Sequence, residues 1–454
     1  MIDRKTDTLV IGAGIVGIST AYYLKLAAPG LAVTLVDMGE PMALTSAHSG
    51  ENYRNWWPHP VMERFTDHSI DLVEEIARKT DNRINMTRRG YVLATREADI
   101  DDLLEELLTG YADDPENTIR IHDAGTSDSY EPPLEDDWKS APSGVDVLRN
   151  DTLIKQTFPW YDPEIRTLVH IRRGGAISGQ QMGQHMLERF GALGGQRLRG
   201  KVVAIDKGRD FVVALEDTDE KLRAARIVNA AGPFLNGVAG MLDIHLPISN
   251  VLQQKIAFED VSGAIARRMP FSIDLDDQRL DWTDEERDLL AEDPELGWLT
   301  EAMPGSIHCR PDGGDHGNWI KLGWAFNDTP SQECLEPVLN DNFPEIVLRG
   351  AARLNPSLKS YYGHLPRNMT HYGGFYTLTA ENWPLIGPMG VDGAFVVGAM
   401  SGFGTMAACA AGELCTKWLL GADLPDYADV LSLGRYDDHS LMAELFAQKS
   451  RGLL

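Results

Sequence analysis

Apolar positions run together at Leu9-Val10-Ile11 and then space out to one helical face at Ile15, Ile18, Ala21, Tyr22 and Leu24. They run together again at Val33-Thr34-Leu35-Val36. This predicts strand, helix, strand, because an unbroken apolar run suits a strand covered on both faces and the wider spacing suits an amphipathic helix. Further along, Val61, Phe65, Ile70, Val73 and Ile76 predict a helix over 58–80, Tyr91-Val92-Leu93 a short strand, and Asp101 to Leu108 an acidic helix. A Pro/Asp/Ser-rich stretch through Pro142 reads as loops. Regular texture returns near Arg173-Gly174-Gly175-Ala176-Ile177, with a helix from Gln180 to Leu193 and strands Val202–Ile205, Phe211–Leu215 and Arg226–Asn229. Residues 246–365 mix strand and loop. Within them Thr283-Asp284-Glu285-Glu286 is a capping box, followed by an acidic run read as a solvated helix face. Strand Ala394–Val397 and a small-residue helix, Ala407 to Leu420, close the pattern, with no internal repeat.

The turn between the first strand and helix is Gly12-Ala13-Gly14-Ile15-Val16-Gly17, and Asp37 ends the next strand. Gly12 permits a tight turn, Gly14 lets backbone approach a pyrophosphate, Gly17 lets the helix lie close on the sheet, and Asp37 can accept from a ribose hydroxyl. The helix amino end adds free N–H groups and a positive dipole end. The unit is therefore read as dinucleotide-binding. A second strand end, Asn229-Ala230-Ala231-Gly232, is placed to lie beside the same ligand.

Composition narrows the class. At 454 residues and 43% hydrophobic, the chain can bury two cores. No apolar run reaches the roughly 18 residues of a membrane helix. Forty-two basic against 68 acidic residues, a formal charge of −26, oppose nucleic acid or anionic lipid as partners. Arg4 and Lys5 precede an apolar stretch, but the three glycines and Lys25 interrupt a signal-peptide core, so an unexported chain is expected. Four cysteines without a CxxC pair fit a reducing cytoplasm. His308, Asp312, Asp315 and His316 match no metal-ligand spacing, and Gly313-Gly314 reads as a hairpin turn, so no metal is expected.

The last third adds Gly373-Gly374-Phe375-Tyr376-Thr377-Leu378 with Glu381-Asn382-Trp383-Pro384-Leu385-Ile386-Gly387-Pro388, then Ser401-Gly402-Phe403-Gly404-Thr405-Met406. Together with the amino-terminal unit and Ala230-Ala231-Gly232, these resemble the FAD-dependent amine and D-amino-acid oxidoreductases, the family of glycine oxidase, sarcosine oxidase and dimethylglycine dehydrogenase. The resemblance implies an α/β fold, α+β overall: a Rossmann-like FAD-binding domain and a substrate domain with a mostly antiparallel sheet. It assigns 1–90, 165–245 and 366–430 to the former, 91–164 and 246–365 to the latter, and 431–454 to a tail.

It also implies an FAD site built from Gly12, Gly14, Ile15, Val16, Gly17, Asp37, Ser46, His48, Ser49, Val203, Ala231, Gly232, Gly374, Ser401, Gly402, Phe403, Gly404 and Thr405. The Gly402-Phe403-Gly404 turn would aim a helix amino end at the flavin's pyrimidine side. Where D-amino-acid and glycine oxidases carry a carboxylate-binding arginine, this chain has Tyr376, as the sarcosine-oxidase branch more often does. Monomeric sarcosine oxidase attaches its flavin through a cysteine at the position of Gly374, and the spacing around His48 does not match covalently bound relatives, so noncovalent FAD is expected. Trp319-Ile320-Lys321-Leu322-Gly323 resembles the strand carrying that enzyme's oxygen-activating lysine, while its histidine four residues later is Ala325 here. Arg54-Asn55 resembles a flavin-side stretch of heterotetrameric sarcosine oxidase beta subunits, so Arg54 could pair with a carboxylate, with Trp56 or Trp57 as a wall or as core.

The implied reaction is oxidation of the C–N bond of a secondary amine or N-substituted amino acid by hydride transfer to flavin N5, followed by imine hydrolysis. Tyr376 and Arg54 would hold the substrate and Lys321 would serve oxygen, with His364 and Arg367 as further pocket candidates. The alternatives are a dehydrogenase with a quinone or flavoprotein acceptor, a D-amino-acid or 2-hydroxy-acid oxidiser, and a flavin subunit of a larger complex. The expected partners are a small amine or amino acid and oxygen or another acceptor; a homo-oligomer or a partner subunit is compatible with the sequence.

Overall fold

A computed structural model describes residues 3–123, 130–133, 138–313 and 317–447. Asp3–Ile11 lies inside an eight-stranded sheet, parallel to Val33–Asp37 on one side and to Lys221–Asn229 on the other. Leu9, Val10 and Ile11 are at most 5% exposed, which is why this run is apolar without alternation. Gln196–Arg199 continues the parallel order beyond Val33–Asp37, and Ala394–Gly398 pairs parallel with Lys221–Asn229. Phe211–Leu215 and Val202–Lys207 add an antiparallel flap. Helices Ile15–Ala27, Pro60–Lys79, Gly179–Ala192 and Gly404–Leu420 share one core against this sheet. The small residues of the last helix let it approach the first: a Cβ on Gly412 would meet the Ser19 backbone at 2.6 Å.

The second sheet has nine strands in the order Thr370–Leu378, Ser249–Glu259, Trp319–Trp324, Ile307–Asp312, Phe271–Asp274, Tyr91–Thr95, Thr167–Ile171, Val145–Leu148, Ile119–His122. Two of its pairings are parallel, Phe271–Asp274 with Tyr91–Thr95 and Ile119–His122 with Val145–Leu148; the others are antiparallel. Helix Phe343–Leu354 buries Ile346, Val347 and Ala351 with Leu322, Trp324, Ile307 and Cys309 on one face. Strand alternation then sends Lys255, Tyr372, Tyr376, Lys321 and Arg310 to the other face, as the pairs Lys255–Tyr372, Val251–Tyr376, Ala257–Lys321 and Arg310–Lys321 require.

Several expectations shift. Thr167–Ile171 and Thr370–Leu378, assigned above to the FAD-binding segments, are strands of the second sheet, because each pairs with a neighbour there. The stretch read as loops through Pro142 holds strand Ile119–His122, with 124–129 and 134–137 outside the described residues, and beyond it strand Val145–Leu148 and helix Asp151–Thr157 went unmarked, short elements whose apolar positions are too few to register as a pattern. The described part of the tail, 431–447, is structural: Ile386 N–H donates to the Leu431 carbonyl at 2.7 Å, and Arg435 is buried. Thr283 does close a capping box, on a helix with no buried residue. Ile307–Asp312 and Trp319–Trp324 form the expected hairpin arms, while Gly314, Asp315 and His316 lie outside the described residues. No described helix is long and apolar enough to cross a membrane, and the four cysteines are unpaired.

Candidate active site

Gly12 has φ +109°, and a Cβ there would lie 2.3 Å from the Ala230 carbonyl oxygen, so this turn accepts glycine alone. Asp37 is held in place by two backbone donors, Ala13 N–H to Oδ2 at 2.6 Å and Gly39 N–H to Oδ1 at 2.8 Å. A carboxylate retains acceptor capacity beyond those two bonds, so the ribose role remains open to it. Ser46 Oγ accepts from Ile15 N–H at 3.0 Å and Met42 N–H donates to the Ala13 carbonyl at 2.9 Å, fastening the 42–46 segment over the turn. Gly14 caps the helix without a side chain, leaving Val16 and Gly17 in a first turn whose N–H groups lack intrahelical acceptors. Asn229 fixes the other strand end: its Oδ1 accepts from Ala231 N–H at 3.3 Å beside Gly232. Val203 sits where the strand register shifts between Val202 and Ala204, and the residue is 42% exposed.

A second uncapped amino end belongs to Gly404–Leu420, whose cap residue is Phe403. The backbone leading to it is strained, with Ala399 at φ +56°, Ser401 at +40° and Gly402 at +89°. Ser401 is 5% exposed and its Oγ is buried with no hydrogen-bond partner. A buried, unanswered hydroxyl beside open helix N–H groups fits a polar ligand edge from outside the chain. Thr405 Oγ1 and Ser49 Oγ lie 2.8 Å apart, tying the 48–51 segment to this helix end.

Across from the turn, the Tyr376 ring packs so closely on Gly402 that a Cβ there would fall 2.4 Å from it. Lys255 Nζ is 3.4 Å from the Tyr376 hydroxyl. His48 borders Gly374, whose Cβ would be 3.3 Å from the His48 Cβ; burial and the Lys255 charge lower its pKa against a hydrogen bond that the ring donates to the Gly373 carbonyl. Arg54 is 3% exposed, with its guanidinium 4.8 Å from the Tyr91 ring centre, 5.5 Å from Trp56 and 5.6 Å from Trp57. Both tryptophans are thus core residues and walls of one cation enclosure, and Trp57 meets Phe403 edge-on at 4.7 Å. Burial pushes the Tyr91 hydroxyl pKa up to about 12; Arg54 opposes the rise and Tyr376 adds to it.

Lys321 is not isolated. Its ammonium lies 2.9 Å from Glu51 and 3.4 Å from Asp312, and Arg310 bridges to Asp312 at 2.8 Å. Glu51 in turn accepts from Gly179 N–H at 2.9 Å. Burial works against the Asp312 charge, yet Arg310 and Lys321 hold its carboxyl below the usual range. His364 and Arg367 are exposed and join none of these groups, because the turn that precedes Thr370–Leu378 points them to solvent. Among the described residues no acidic, histidine or cysteine cluster could hold a metal. Lys255, Arg310 and Glu51 went unmarked in the sequence, and Asp312 was weighed only as a metal ligand; no local pattern singles out Lys255, whose strand mixes apolar residues with Ser249, Asn250, Gln253 and Gln254.

A family profile described as FAD dependent oxidoreductase (DAO) matches residues 7–418. The chain belongs to this family. Among curated proteins it resembles the uncharacterized oxidoreductase YurR of Bacillus subtilis (strain 168), 23% identical over 259 residues; the match covers 55% of this chain and 61% of that protein's length. Its fold is similar to that of L-proline dehydrogenase from P. horikoshii, with TM-score 0.72 and 15% identity over 96% of this chain and 99% of the other. Glycine oxidase from Geobacillus kaustophilus gives 0.68 and 13% over 95% and 99%, and iminodiacetate oxidase from Chelativorans sp. BNC1 gives 0.67 and 17% over 94% and 98%. FAD is therefore the dinucleotide of this family member. The close-packed Gly12 turn and the unanswered Ser401 hydroxyl fit its phosphate and ring ends.

Proposed function

We propose that this flavoprotein oxidises the C–N bond of a secondary amine or N-substituted amino acid, with FAD held noncovalently. The observation that carries the reading is the placement of Arg54, a buried cation walled by Tyr91, Trp56 and Trp57 on the side of the molecule where Tyr376 lies against Gly402. When bound, FAD supplies the two-electron acceptor. Arg54 pairs with the substrate carboxylate, and the rings exclude water and fix the guanidinium plane. The Tyr376 hydroxyl, steadied by Lys255, orients the amine so that its α-carbon faces the cofactor. The imine leaves and hydrolyses. Structural neighbours named for L-proline, glycine and iminodiacetate support an amine bearing a carboxylate, and the first and last of those compounds are secondary amines.

Oxygen is the proposed acceptor, with Lys321 stabilising the negative charge that develops on it. A second reading, a dehydrogenase, is favoured by the Glu51 and Asp312 carboxylates beside that ammonium, which offset its charge. The deciding experiment is anaerobic titration of the purified holoprotein with N-alkyl amino acids, D-amino acids, simple amines and 2-hydroxy acids, followed by air. Bleaching of the flavin band by an N-substituted amino acid, reversed rapidly by oxygen with peroxide release, is the expected result. Slow reoxidation that Glu51→Gln accelerates would select the dehydrogenase. Bleaching by 2-hydroxy acids alone would overturn amine oxidation.

A further inference from the structure

Lys255 lies on strand Ser249–Glu259, on the face shared with Tyr372 and Tyr376, and is 6% exposed. Its ammonium is 3.4 Å from the Tyr376 hydroxyl and 5.3 Å from that ring's centre. Its other neighbours bring no negative charge: Gly50 stands beside its Cε, and its charge is felt by His48 and His308, both held toward the neutral form by burial. Elsewhere on this face cations and carboxylates are matched, Arg310 and Lys321 sharing Glu51 and Asp312. Among the described residues no carboxylate stands within ion-pair distance of Lys255. A buried ammonium with no counter-ion carries a heavy desolvation cost, which an incoming anion relieves. The pyrophosphate is not that anion, because its cradle is the Gly12–Gly17 turn, and none of those residues borders the lysine.

Arg54 and Lys255 are brought to one side of the molecule by the curl of the sheet that carries Tyr91 and Tyr376. Tyr91, under Arg54, and Tyr376, beside Lys255, sit five strands apart in the order, a span of roughly 24 Å in a flat sheet. Yet Trp57, a wall of Arg54, meets Phe403 at 4.7 Å, and the neighbouring Gly402 lies against the Tyr376 ring that Lys255 approaches. We propose that Lys255 binds a carboxylate of the substrate and, with Arg54, selects amines that carry two carboxylates.

This specificity rests on the amine-oxidation reading, and the test separates the two. Holoenzyme, Lys255→Met and Lys255→Arg are titrated anaerobically with iminodiacetate and with sarcosine, reading flavin bleaching, and with glutarate and propionate, reading the flavin absorbance shift that binding produces. FAD content confirms that each variant is folded. Loss of one partner of a buried charge pair predicts that Lys255→Met weakens iminodiacetate and glutarate at least ~30-fold more than it weakens sarcosine and propionate. Lys255→Arg restores most of the difference. Equal weakening of all four ligands, or none, overturns the proposal. If no amine bleaches the wild-type flavin, amine oxidation fails, while the glutarate and propionate titrations still decide the role of Lys255.

Discussion

Replacing Arg435 by methionine tests how the far end of the chain supports the loop that follows Tyr376. The Arg435 and Glu381 side chains are 0% and 1% exposed. The guanidinium donates to Glu381 Oε1 at 2.7 Å, to the Pro384 carbonyl at 2.7 Å and to the Trp383 carbonyl at 3.2 Å. Trp383 is itself bonded both ways to Thr379, three residues past Tyr376. Methionine fills the stem's volume but leaves Glu381 buried with only the Tyr436 hydroxyl at 2.8 Å. Breaking a buried pair on one side costs about 3–5 kcal/mol, and the four carbonyls that lose a donor, those of Trp383, Pro384, Val430 and Ser432, fall within that range rather than adding to it. Adding Glu381→Gln removes the stranded charge and should return about 2 kcal/mol of the loss. Urea unfolding of FAD-saturated protein at neutral pH, followed by tryptophan fluorescence, measures both steps. A single variant within about 1 kcal/mol of the parent, or a double variant that loses the sum of the two singles, would refute the claim that this pair acts as a unit.

Two further outcomes follow from other parts of the structure. Gly402→Ala forces a side chain into φ +89° and against the Tyr376 ring, so stability should fall by about 1–3 kcal/mol. Displacing that ring by a fraction of its width should also lower amine turnover on the order of 100-fold, read by steady-state kinetics with FAD saturating. Asp146 titrates one strand in from the far edge of the second sheet: burial opposes its charge, but hydrogen bonds from Arg120 and His122 and the charges of Arg120 and Arg172 hold its pKa at about 2. An acid depressed in the folded state stabilises above its unfolded pKa and loses that contribution as pH falls through the folded value. Wild type should therefore shed about 2–3 kcal/mol between pH 5 and pH 1 that Asp146→Asn does not, measured by urea unfolding across that range. Parallel acid limbs for the two proteins would contradict this.

The nucleotide end was legible in the sequence because its demands are local. Gly12, Gly17 and Asp37 belong to one strand-helix-strand run, and each glycine answers a close approach inside it or to the next parallel strand. Tyr376 and Gly402 could be marked for the same reason, since one strand and one turn define each. The substrate side depends on strand register between distant segments. Glu51 and Lys321 are 270 positions apart, and Lys255 reaches Tyr376 across 121. No spacing along the chain shows that Glu51 offsets one lysine and leaves the other without a carboxylate. Lys321, flagged by its surroundings in sequence, proves to be the neutralised cation, and Lys255, flagged by nothing local, is the one whose charge is still available to a ligand. In a pocket assembled by register, the residue types are visible along the chain, but the charge they offer a substrate is settled only by which of them the fold pairs with one another.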